Sequence, residues 1–82
     1  MEMMMFATTV ETMLETGLRR GMSFKQLRER VPTLAAKQLG ITVADFHAEL
    51  AKIGDPAMNA MADRVAARFT PAERADISRR PF

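Results

Sequence analysis

The sequence predicts an all-α fold, a small orthogonal helical bundle of five to six helices containing a helix-turn-helix. Three observations carry this. Apolar residues recur three and four apart along most of the chain, and no stretch alternates with the period of two that a half-buried strand needs. Helix-start signals repeat: Ser23 with Gln26, Thr42 with Asp45, Asp55-Pro56, and Thr70-Pro71 with Glu73. Glycines stand where the periodic stretches end, at Gly21, Gly40 and Gly54. With 82 residues the chain is read as a single domain, 1–82, whose core is small.

The first helix is expected over 3–20, with Met3, Phe6, Val10, Met13, Leu14 and Leu18 as its apolar stripe. Gly17 weakens it and permits a close crossing, and Glu15 with Arg19 pairs at i,i+4. Met4 and Met5 fall off the stripe. They leave Met3, Met4, Met5 and Phe6 as a candidate dimer or partner contact. Ser23 starts a second helix whose buried face is Phe24, Leu27 and Val31. Pro32 is expected to end it, since a residue before proline disfavours the helical region.

A helix-turn-helix core is expected over 23–54. Thr33 caps a short helix carrying Ala35, Ala36 and Leu39, Gly40 takes a left-handed turn, and Ile41 plugs the angle. Thr42 caps the helix with Phe46, Leu50 and Ile53. Two C-terminal helices fill 56–79. The first, to about Phe69, has Met58, Met61, Ala62, Val65 and Phe69 inside and Asp63, Arg64 and Arg68 outside; the second is short and starts at Pro71.

AAKQLGIT, followed by a helix with Phe46 and Leu50 and ending Lys52-Ile53-Gly54, resembles the DNA-binding helix-turn-helix of the Fis family of bacterial proteins. The likeness covers Leu34–Gly54. It implies a small, dimeric DNA-binding transcriptional regulator of bacterial, phage or plasmid type. Where that family's second helix is rich in Arg and Lys, this one reads VADFHAELAK, with Asp45 and Glu49 against a lone Lys52.

Composition narrows the chemistry. There is no cysteine, so disulfides and thiolate metal sites are excluded, and a reducing cytoplasm suits the chain. There is one histidine, no phosphate-cradling glycine loop and no His-His metal spacing. An enzyme is therefore not expected, nor a metal or cofactor. The opening MEMMMFA has no basic leader, and no apolar run approaches a membrane span of about 20 residues. The net charge of +2 is mild.

The preferred function is DNA binding, and the alternative is an interaction module. As a DNA binder, the chain would place Arg28, Arg30 and Lys37 on phosphates, with Thr42, Val43, His47 and Lys52 on the recognition helix. As an interaction module it would keep the fold, bind no DNA and engage a protein partner, as a phage-type inhibitor does. The plain structural alternatives are that His47 is an exposed surface histidine, that Asp45 serves only its helix start, and that Arg28, Arg30, Arg64 and Arg68 are solvated faces paired with Glu29 and Asp63.

Overall fold

The computed structural model describes residues 2–82. Five helices follow in order: α1 Met3–Arg19, α2 Phe24–Leu39, α3 Val43–Ile53, α4 Asp55–Ala66 and α5 Pro71–Ser78. Among the described residues there is no strand.

The local start signals are formed as sidechain–backbone pairs. Ser23 with Gln26, Thr42 with Asp45 and Thr70 with Glu73 each close a reciprocal capping box. α4 begins differently: its N-cap is Gly54 rather than Asp55, with no side-chain cap, and Pro56 sits in its first turn. α4 also stops at Ala66, short of the expected Phe69.

α1 is the central element. Its Phe6, Val10 and Leu18 are buried, and α2 and α4 pack on opposite flanks of it. Phe6 reaches α3 as well, its ring centroid 5.2 Å from that of Phe46. At Gly17 a methyl group would run into the Cδ2 of Leu27, so the absent side chain is what lets α2 lie this close. The core joins Phe6, Val10, Leu27, Val31, Ala35 and Ala36 with Phe46, Val65, Phe69 and Ile77.

The expected break at Pro32 does not occur. α2 is continuous through it, and Thr33 lies inside the helix rather than capping a new one. Proline removes one helical hydrogen bond and crowds the preceding turn, which commonly costs about 3 kcal/mol. Here Val31 before it and Ala35 after it are both buried in the same core cluster. That burial holds both halves in line. The 23–54 core is therefore two helices rather than three, and α1 supplies the third.

From α2 into α3 the backbone turns as the spacing predicts. Gly40 is left-handed at φ 71°, ψ 31°. The Ile41 amide donates to the Ala36 carbonyl at 2.9 Å and the Gly40 amide to that of Lys37 at 3.3 Å, a Schellman closure. The sequence of helix, tight turn and helix is consistent with a helix-turn-helix.

Candidate functional site

The charged residues divide into those held by the fold and those left free. Glu11 on α1 is only 4 % exposed. Arg64 grips it with Nε at 3.1 and 3.3 Å and Nη2 at 3.1 Å, and Arg68 Nη2 reaches it at 3.0 Å. Arg68 also meets Glu15 at 3.2 Å, Glu15 meets Arg19 at 3.0 Å, and Arg19 reaches Glu73 on α5 at 3.7 Å. Arg64 and Arg68 are thus not paired with Asp63 or Glu29; they zip α4 to α1. The Arg19 bond, with help from Arg68, holds the Glu15 carboxyl below its usual range, and hydrogen bonds at Thr70 do the same for Glu73. Glu11 in turn holds the Arg64 guanidinium in its charged form.

Other arginines close helix ends. Arg80 donates to the Leu18 and Met22 carbonyls at 2.8 and 3.0 Å and pairs with Asp76. Arg74 donates to the Ala66 and Phe69 carbonyls, and Arg19 to that of Arg68. The Leu18 and Ala66 carbonyls already accept the Gly21 and Phe69 amides, so Arg80 and Arg74 add a second donor there and tie in the loop carbonyls of Met22 and Phe69.

The residues named for DNA contact do not gather on one face. Lys52 is tied to Glu49 at 3.2 Å. The Thr42 hydroxyl accepts the Asp45 amide at 3.0 Å. Between them the solvent side of α3 is Ala44, Ala48 and Ala51, all exposed. Val43 is exposed beside them. His47 is exposed but turns to the flank, where it lines a groove with Arg28. Arg30 lies on the other side of α2, in a shallow cleft against α1 that also holds Arg20 and Leu34. Lys37 is exposed near the end of α2. Arg20, Lys25, Arg28, Arg30 and Lys37 form no ion pair with the described carboxylates.

The groove is an apolar feature of the surface that sequence periodicity does not reveal. Val10 and Leu14 of α1 form its floor. Phe24, Leu27, Val31 and Pro32 of α2, Phe46 and Leu50 of α3, and Met58, Met61 and Ala62 of α4 form its walls, around about 410 Å³. A second part of about 250 Å³ shares Leu14, Phe24 and Ala62 with it and continues past Val65 and Phe69 to Ile77 and Phe82. The only charged or titratable side chains lining either part are Arg28, His47 and Arg74; no carboxylate does. Phe82 shows what the rim accepts. Its ring lies 5.4 Å from that of Phe24, with the Arg28 guanidinium 5.4 Å from its centroid.

At the N-terminal end of α1, Met3, Met4 and Met5 are 60, 73 and 56 % exposed. Consecutive helical residues point about 100° apart, so this first turn stands clear of the domain on several sides. Met3 is therefore not core. Phe6, expected in the same contact, is fully buried against Phe46 instead. Among the described residues no three acidic or histidine side chains cluster in a way that would hold a metal ion, and no helix is long and apolar enough to cross a membrane. No protein-family model, curated protein or solved structure matches the chain.

Proposed function

We propose that this chain is a non-enzymatic protein-interaction module of the cytoplasm, and that its working surface is the apolar groove between α2, α3 and α4. One observation carries the reading: every charged or titratable residue lining an otherwise apolar groove is basic. Such a groove favours a helical or extended segment that offers apolar side chains together with a carboxylate. The burial supplies affinity, and Arg28 and His47 orient the acid.

8-Anilinonaphthalene-1-sulfonate joins an apolar body to an anion and serves as a probe. Wild type, kept dilute enough to be monomeric, should bind it saturably, with a fluorescence rise. Ala62→Glu, at an exposed position lining both parts of the groove, should abolish that binding while leaving the circular dichroism intact. Arg28→Ala should weaken it. The absence of saturable binding, or equal binding by Ala62→Glu, overturns the reading.

A second reading is a dimeric DNA-binding transcriptional regulator, favoured by the five unpaired cations at the end of α1 and along α2. Phosphate contact would then dominate. Affinity for a labelled duplex would fall with salt at a log–log slope of about −0.9 per phosphate, and Arg30→Ala with Lys37→Ala would flatten that slope. No duplex binding at low salt removes this reading and leaves the groove.

A further inference from the structure

We infer that the occupant of the groove is a second copy of this chain, which inserts the exposed first turn of its α1 and receives the same turn in exchange. The inference rests on the groove being a docking site. The chemistry of the two surfaces matches. The turn offers Met3, Met4 and Met5, unbranched side chains that fill irregular apolar gaps, and Glu2 beside them supplies the carboxylate that the basic lining lacks a partner for. The chain cannot satisfy its own groove. α1 is unbroken from Met3 through Val10, where it becomes the groove floor, so the helix holds its methionines outside.

The same continuity sets the geometry. Met3 and Val10 are seven residues apart, about 10 Å along the helix. Knob and groove therefore sit at one end of the molecule. Two copies related by a two-fold axis, with these ends side by side, would each seat the other's knob. Such an interface is self-complementary and closed, so it stops at a dimer. Phe6 stays in its own core and serves as the fixed base of the knob.

Sedimentation equilibrium over a concentration series tests this. Wild type should dimerise. Met4→Lys with Met5→Lys, and separately Ala62→Glu, should each weaken the dimer about tenfold or more. Mixing the two variants should give a heterodimer, because one intact knob still meets one intact groove. Glu2→Arg should weaken the wild-type dimer, and adding Arg28→Glu to the same chain should restore it. A chain monomeric at millimolar concentration, or a dimer that both variants leave unchanged, overturns the inference. The dye separates this failure from the larger one. A monomeric chain whose groove still binds the sulfonate keeps the docking site and loses only the second copy; a monomeric chain that binds no dye loses both.

Discussion

The two flanks of α1 are built on different physics. Towards α4 and α5 the contact is laced with charge: Glu11 and Glu15 face Arg64 and Arg68, and Arg19 carries the chain of pairs on to Glu73. Towards α2 the contact is apolar and close, with Gly17 against Leu27. Both flanks bury α1, yet they leave different surfaces behind. The charged flank uses its arginines internally. The apolar flank needs none, so Arg20, Lys25, Arg28, Arg30 and Lys37 remain available to something outside the domain. Counting basic residues therefore misjudges the chain: position relative to α1 decides which ones a partner can reach.

The largest effect that would break this comparison is expected from removing the cations around Glu11. Arg64→Ala with Arg68→Ala strands a buried carboxylate, and should lower the denaturation midpoint further than Glu11→Gln does, because in the latter the two half-exposed arginines can turn to water. Arg28→Ala with Arg30→Ala should change stability by about 0.5 kcal/mol or less. Equal losses from the two arginine pairs, measured by urea unfolding, would mean that the flanks do not differ.

The apolar flank has its own test at Gly17. Helix propensity alone favours alanine there by about 1 kcal/mol. Overpacking against the buried Leu27 typically costs ~1–3 kcal/mol, so Gly17→Ala should give a net loss. A gain in the same unfolding measurement would mean that α2 does not press on α1 at this crossing.

Acid gives the smallest effect. The carboxyls of Glu15 and Glu73 are held below their usual 4.5 in the folded chain. A lowered folded value means that their contribution is fully present above about pH 4.5 and is lost as pH falls through the lowered values. Stability should be flat from neutral pH to about pH 5 and then decline, and Glu15→Gln with Glu73→Gln should make the decline shallower. An unchanged acid profile in that variant would separate these carboxyls from the stability of the charged flank.

What was legible in the sequence was local. The three capping boxes and the turn at Gly40 depend on residues within a few positions of each other, and all four formed. The all-α class followed from periodicity alone. Pro32 was misjudged because a local preference met tertiary burial, and the burial of Val31 and Ala35 won. The pairing of Glu11 with Arg64 spans 53 positions and carried only a faint signal, two carboxylates four apart on α1 and two arginines four apart on α4. The groove had no signal of its own, because it is the space between three helices whose relative placement no periodicity specifies. His47 is exposed, as a surface histidine is; its place on the groove rim comes from α2 and α4 packing beside α3, which its sequence neighbours do not carry.

The unbroken course of α2 through Pro32 leaves a mark on its backbone. Proline has no amide hydrogen, so the carbonyl of Arg28, four residues earlier, does not receive the bond that a helix would otherwise give it. Pro32 and Arg28 both line the groove. At that point the α2 wall of the groove is held straight by the burial of Val31 and Ala35 rather than by the backbone ladder. With one rung missing, solvent exchange at the amides flanking Pro32 should be faster than in the rest of α2, and a partner seated in the groove should slow it.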